Sequence, residues 1–251
     1  MTRMQTSASL GLGNGWQVIG RLPIDAKFMS IDYTTPDGQS YTPPYGNIHH
    51  RNETLAGFGD AQLEMQHFTR SGESWVIGVG VGLTIPLGRT EEDPYTLAKQ
   101  SETHQHMQMG SGTVDPIFSA SAIWMGHQWG GLISSSGRLA MVANSKGYRP
   151  SSSIQLSAGP SYRFTSKLMM TSSLSLTRES QAEWRGTPDP NSGRTAVMSG
   201  GSLIFRFTPM LASMVQARTT LAQWSNKPQI KQHFIGSIGL TWTPGGKGSL
   251  D

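Results

Sequence analysis

The segment His104-Gln105-His106-Met107-Gln108-Met109 is the stretch richest in metal-ligating side chains. Imidazole and thioether together suit copper, and thioether sulfur suits the soft Cu(I) ion best. His49-His50 lies in another long polar stretch and could complete such a set. The competing expectation is a set of exposed loop residues with adaptable Met side chains, because no spacing here is characteristic of a metal centre. Catalytic groups are harder to assemble. Ser is plentiful and His67, His127 and His233 are available, but none stands in a motif that pairs a nucleophile with a base. Gly78, Gly80 and Gly82 open no helix, so they do not form a phosphate loop. Glycines at alternate strand positions instead leave room for a bulky neighbour or a close strand. Cysteine is absent, which excludes disulfides and thiolate chemistry. Neither an enzyme activity nor a cofactor is expected.

A second chemical set is ionic. Arg21, Arg138, Arg163, Arg206 and Arg218 lie within apolar-polar alternating stretches, as do Asp25, Asp60 and Glu64. What they can do depends on the elements that hold them.

Those elements are strands. From Ile154, the residues Ile154, Leu156, Ala158, Pro160, Tyr162 and Phe164 alternate with Gln155, Ser157, Gly159, Ser161 and Arg163. Trp75, Ile77, Val79, Val81, Leu83 and Ile85 alternate with glycine and small residues, and the pattern recurs from Phe234 to Trp242. Period two marks a strand with two different faces, and the spacing of three and four that a helix needs is missing. The alternation predicts strands near 3–12, 16–32, 60–70, 75–88, 114–126, 131–143, 153–164, 168–183, 196–207, 212–225 and 230–243. Short turns (13–15, 71–74, 127–130, 165–167, 208–211) alternate with longer polar segments (33–59, 89–113, 144–152, 184–195, 226–229). Outer-membrane barrels connect their strands in this way, with short turns on the periplasmic side.

Composition agrees. Charged residues make up only 14% of the 251, and there are 30 glycines; an ordinary soluble domain carries about 25% charge. Mean hydropathy is a middling −0.33, as expected when half of each strand faces lipid and half a wet lumen. No run reaches the roughly 18 apolar residues of a membrane helix. A net charge of +4 without a basic cluster does not suggest nucleic acid. Trp16, Trp75, Trp124, Trp129, Tyr162, Phe164, Phe205, Phe207 and Trp242 fall near strand ends, where interfacial girdles place aromatics. A soluble sandwich would also alternate, but its strands are usually shorter, about 5–6 residues.

The expected fold is therefore all-β: one closed antiparallel transmembrane β-barrel over residues 1–251, of about twelve strands, in a Gram-negative outer membrane. Eleven strands are visible. Bacterial barrels have even strand numbers, so a further strand is expected before Met1 or hidden in the first residues. The start Met1-Thr-Arg-Met has no apolar signal core, so the chain reads as mature or truncated. On this parity every mid-strand arginine faces the lumen, since a lipid-facing arginine at the midplane costs about 2–4 kcal/mol. Arg21, Asp25, Asp60, Glu64, Arg138, Arg163, Arg206 and Arg218 are thus the expected pore lining. They either bias the pore towards anions or pair with one another to fill it.

Gln108-Met109-Gly110-Ser111-Gly112-Thr113-Val114-Asp115-Pro116 resembles the Gly-Ser-Gly-Thr-x-Asp signature of a bacterial barrel family, the phenol meta-degradation pathway outer-membrane proteins. Gly11-Leu12-Gly13-Asn14-Gly15-Trp16, Arg21-Leu22-Pro23, Gly57-Phe58-Gly59-Asp60 and Ile85-Pro86-Leu87-Gly88 are similar to its hairpin and strand-end motifs. The resemblance spans roughly residues 10–125. It implies an outer-membrane transporter in which Gly110, Gly112 and Asp115 shape the passage from loop to strand. The His/Met segment just before Gly110 departs from the family pattern. The function expected is passive passage of small solutes, in contact with membrane lipid and lipopolysaccharide. The alternative is a structural or partner-binding barrel without an open pore.

Overall fold

The computed structural model describes residues 1–43, 52–105, 107–227 and 232–244. Along the chain run β1 (Thr2–Gly13), β2 (Trp16–Met29), β3 (Glu53–Phe58), β4 (Ala61–Ser71), β5 (Trp75–Ile85), a short helix α1 (Pro94–Lys99), β6 (Pro116–Met125) and β7 (Trp129–Arg138). They are followed by β8 (Tyr148–Arg149), β9 (Ser153–Arg163), β10 (Leu168–Glu179), β11 (Glu183–Trp184), β12 (Thr187–Pro188), β13 (Arg194–Arg206), β14 (Leu211–Ser225) and β15 (Phe234–Trp242). Eleven long strands form one antiparallel sheet in the order β1-β2-β4-β5-β6-β7-β9-β10-β13-β14-β15, each beside its sequence neighbour. The sheet curls but does not close: among the described residues β1 pairs only with β2, and β15 only with β14. With an odd number of antiparallel strands, these two edges run in the same direction.

The two faces are inverted relative to a water-soluble protein. Val81 on the outer face is 65% exposed and Ile133 61%, whereas Asp25, Glu64 and Thr84 on the inner face are 2%, 4% and 1% exposed. Apolar side chains left outside and polar ones buried suit a sheet whose outer solvent is hydrocarbon. Leu156, Val79, Phe205 and Ile238 stand on the outer face; Gln155, Gly80, Arg206 and Ser237 alternate with them on the inner. The aromatics expected at strand ends all gather at the short-turn end. Trp75 is opposite Trp124, Trp129 opposite Tyr162, and Trp242 opposite Leu211. Ring contacts of 4.6–4.9 Å join Trp16 to His67, Trp129 to Tyr162, Tyr162 to Phe164 and Phe205 to Phe207. They form one belt.

Gly78, Gly80 and Gly82 make room for their neighbours. A Cβ on Gly78 would lie 2.5 Å from the Phe68 ring, and one on Gly82 would lie 2.2 Å from the Leu63 carbonyl oxygen.

Three differences from the sequence expectation matter for the site. First, residues 53–58 are a strand, where a loop was expected. β3 and β4 act as one strand broken at Gly59-Asp60, since Ile24 pairs with Phe58 and Arg21 with Gln62. Three residues therefore oppose Leu22-Pro23, which makes a bulge. Pro23 has no N–H to give this side of the ladder, and its carbonyl accepts from the Gly59 N–H at 3.0 Å. A bulge re-aims the side chain it carries, here Asp60. Second, β7 ends at Arg138, so Arg138 is terminal and not mid-strand as the expected span of 131–143 implied. Third, the long segments hold α1 and a small sheet of β12, β11 and β8.

Candidate functional site: an arginine-walled cavity under the outer loops

The curl brings β1, β2, β4, β5 and the end of β7 around one cavity of about 260 Å³. Arg3, Arg21 and Arg138 line it with Gln62, and Gln108 and Met109 of the long loop close its other side. That strands so far apart in the sheet share a cavity identifies the inner face as the concave one.

Each arginine faces an acid. Arg3 holds Asp25 by two hydrogen bonds, Nε to Oδ1 at 2.7 Å and Nη2 to Oδ2 at 2.8 Å. Arg21 donates to Glu64 at 2.7 Å, and the Ser119 hydroxyl donates to the other Glu64 oxygen. Charge-assisted contacts of this length are the strong kind. Arg138 lies 3.9 Å from Asp115 with no hydrogen bond between them, and donates instead to the Ser151 carbonyl at 3.0 Å. Arg194 and Glu179 form a further pair at 3.0 Å.

Asp60 has a different partner. Its carboxylate accepts from the Gly88 N–H at 3.2 Å, the Ser111 N–H at 2.7 Å and the Ser111 hydroxyl at 2.6 Å. Lys27 donates to the Gln108 carbonyl at 2.8 Å, and Asn144 to the Ser111 carbonyl at 2.9 Å. The segment between β5 and β6 is thereby held against the inner wall at Gly88, Gln108 and Ser111. Gly110 allows this, since a Cβ there would sit 2.4 Å from Asp60 Oδ1 and 2.6 Å from the Gly88 Cα. Gly112 has φ +69°, a left-handed conformation that favours glycine. Asp115 is fully buried where the loop enters β6.

The outer segments are tied to one another above the cavity. Lys146 bridges Glu92 at 3.1 Å and the Thr90 carbonyl at 3.0 Å. Arg185 lies 3.6 Å from Asp93, the N-cap of α1. Tyr148 packs on Trp184 with ring centroids 4.8 Å apart. The Tyr95 hydroxyl donates to Asp189 at 2.5 Å and accepts from Asn191 at 3.1 Å. Burial, and next the Asp189 carboxylate, push the Tyr95 phenol up to about 12. A phenol raised in the folded state contributes stability in full below its ordinary value of about 10 and loses it as the pH rises through the folded one. The Tyr95–Asp189 tie is therefore expected to persist at pH 10 and to give way as the pH nears 12. Ultraviolet titration of phenolate should show a high-pH component that Tyr95→Phe removes; an unchanged curve would refute the assignment.

Of the residues singled out from sequence, Arg21, Asp60 and Arg138 line the cavity, and Asp25 and Glu64 stand behind its arginines. Arg163 and Arg206 are on the same face at the short-turn ends of β9 and β13, and Arg218 is on it at the middle of β14. Met109 lines the cavity, while His104 is buried with Nδ1 2.9 Å from the Glu102 carbonyl. His49, His50 and His106 lie outside the described residues. Among the described residues no three His, Asp or Glu side chains converge on a point as a metal site requires. Arg3 was missed, although it shares parity with Ser7 and Ser9 opposite Met4 and Leu10, the signal used for the other arginines.

No protein-family model matches the chain, and no curated protein matches it in sequence. Among solved structures it is similar to the COG4313 outer membrane channel from Pseudomonas putida F1, with a TM-score of 0.63 and 14% identity over 95% of this chain and 79% of that one. It also aligns with OmpTdeltaL8, a loop L8 deletion mutant of OmpT, an outer membrane protein of Vibrio cholerae. There the TM-score is 0.47 at 9% identity, over 96% of this chain and 89% of that one. The likeness to the Pseudomonas putida channel, together with the inverted faces, gives this chain the fold of an outer-membrane β-barrel.

Proposed function

We propose that the chain is an outer-membrane channel, not an enzyme, through which small polar solutes pass passively. The observation that carries this reading is the inward-held loop, which narrows the lumen against the arginine wall but leaves a cavity of about 260 Å³. At about 30 Å³ per water, that space is wet. The fold shared with a channel supports the same reading. In lipid, the open edges of β1 and β15 must be covered, because unpaired backbone groups there cost several kcal/mol each. One antiparallel strand between them would pair with both. The motif from Gly110 to Asp115 keeps kinship with the phenol meta-degradation barrels within the proposal, and small aromatic acids among the solutes to try. Those same edges favour a second reading, a structural barrel completed by a partner.

Planar-bilayer recording separates the two. The channel reading expects stepwise, ohmic conductance from the purified protein. Silent insertion, with a partner polypeptide retained through purification, would replace it with the structural reading.

A further inference from the structure

We infer that this channel selects solutes by charge at Arg163, Arg206 and Arg218, the inner-face arginines that face no carboxylate, and not in the cavity beside Arg3, Arg21 and Arg138. The inference rests on the channel reading above.

The strand register sorts the inner face into rows, which run obliquely: the row through Glu64 starts at Ser9, close to the short turn after β1, and reaches Arg194, at the long-loop end of β13. That row runs Glu64, Gly82, Ile117, Arg138, Ser153 and on to Glu179 and Arg194, so acids and bases share it. Above it lie Arg3 and Asp25, joined to each other. The next rows towards the short turns hold serines and glycines: Gly78, Ser121, Ser134, Ser157 and Ser175 face one another across five strands. Beyond that serine row no strand carries a carboxylate on its inner face among the described residues. The bases continue. Arg218 is opposite Gly200, Arg163 opposite Met169, and Arg206 opposite Ala212. Glu73 is the one described acid near that end; it sits in the turn beyond β4, in the same hairpin as Arg70.

The difference in pairing is as sharp as the difference in sequence. The cavity arginines each face a carboxylate, so their fields largely cancel. Among the described residues Arg163, Arg206 and Arg218 have no carboxylate at ion-pair distance. The Arg218 Nε is buried with no hydrogen-bond partner, its stem laid over Gly200, where a Cβ would come 2.4 Å from the Arg218 Cγ. An uncompensated charge beside low-dielectric walls focuses its field into the lumen. From Arg218 to Ala212, opposite Arg206, is roughly 20 Å of strand at about 3.3 Å per residue. That spacing is shorter than the Debye length of about 30 Å at 0.01 M salt and longer than the about 10 Å at 0.1 M. The arginines therefore act as one continuous anion path in dilute salt and as separate steps in concentrated salt. Small carboxylates and inorganic anions are the class such a path passes.

Reversal potentials under a potassium chloride gradient test this. The unmodified channel should prefer chloride. Arg206→Gln with Arg218→Gln should lower the permeability ratio severalfold, leaving the share carried by Arg163, whereas the charge-neutral double change Arg21→Gln with Glu64→Gln should leave it within about twofold, since it removes no net field. Arg206→Lys with Arg218→Lys keeps both charges and should keep the preference, which guards against a variant that merely folds poorly. A conducting channel whose selectivity follows the Arg21–Glu64 change, or ignores the Arg206 and Arg218 changes, overturns this inference alone. Absence of conductance overturns the channel reading itself.

Discussion

Replacing Asp60 by Ala is expected to release the segment between β5 and β6 from the inner wall and raise single-channel conductance severalfold. The Asp60 carboxylate collects three hydrogen bonds from that segment, from the N–H groups of Gly88 and Ser111 and from the Ser111 hydroxyl. Hydrogen bonds to a charged group contribute about 1.5–3 kcal/mol each. Losing all three changes the ratio of held to released loop by roughly a thousandfold or more, at about 1.4 kcal/mol per tenfold. The Lys27, Asn144 and Lys146 ties remain and hold Gln108, Ser111, Thr90 and Glu92, but none of them takes over the N–H groups of Gly88 and Ser111 that Asp60 accepts from. Asp60→Asn keeps one acceptor oxygen and should give an intermediate conductance. Arg89 and Lys99, inside the released segment, should become sites of rapid trypsin cleavage. Unchanged conductance together with an unchanged digestion pattern would show that the loop is held by something other than Asp60.

The bulge that makes this prediction possible was only half legible in the sequence. Period-two alternation is visible wherever a strand separates hydrocarbon from water, because every second residue meets a different solvent. That is why β5, β9 and β14 could be read within a few residues of their ends. Pro23 and Gly59 mark a defect, yet alternation over 60–70 is intact with or without β3, so the break appeared as a loop end. The helix α1 carries its signals, Asp93 as N-cap and Pro94 in the first turn. Six residues are too few for a 3.6-residue period to stand out. The pairs of residues in β8, β11 and β12 have no period at all; tertiary ties such as Tyr148 on Trp184 hold them.

Parity also placed the ionic side chains on one face, but it could not say which partners they take. Partnering depends on register between strands, and register is set by hairpin geometry that composition does not encode. Asp60, expected beside an arginine, instead holds a loop, because the bulge turns it towards Gly88 and Ser111. Asp115, expected only to shape the entry to β6, lies beside Arg138. Arg3 takes Asp25, leaving Arg21 for Glu64. The acids are taken up by Arg3, by Arg21 and by the loop, and a count over all strands hid the uneven pairing that the register reveals.

Arg21→Gln should be the most destabilising single change among these ion pairs. The Glu64 side chain is 5% exposed and that of Arg21 25%. Without Arg21, Glu64 keeps the Ser119 hydroxyl as a donor but no cation. It cannot swing away, because β5 packs over it: a Cβ on Gly80 would come 2.4 Å from Glu64 Oε1. Removing one partner of a buried pair costs about 3–5 kcal/mol, since the other charge is left uncompensated. Replacing both partners by neutral side chains of similar shape costs much less, because no ion then remains to be desolvated. The double change Arg21→Gln with Glu64→Gln should therefore recover most of the loss. Urea unfolding in phospholipid vesicles, followed by Trp fluorescence, measures both. A single variant within about 1 kcal/mol of the parent would put the pair in the range of solvent-exposed salt bridges, and Glu64 would then be hydrated from the lumen. A double variant as unstable as the single one would place the cost in lost packing around Gly80 and Ser119, and not in charge.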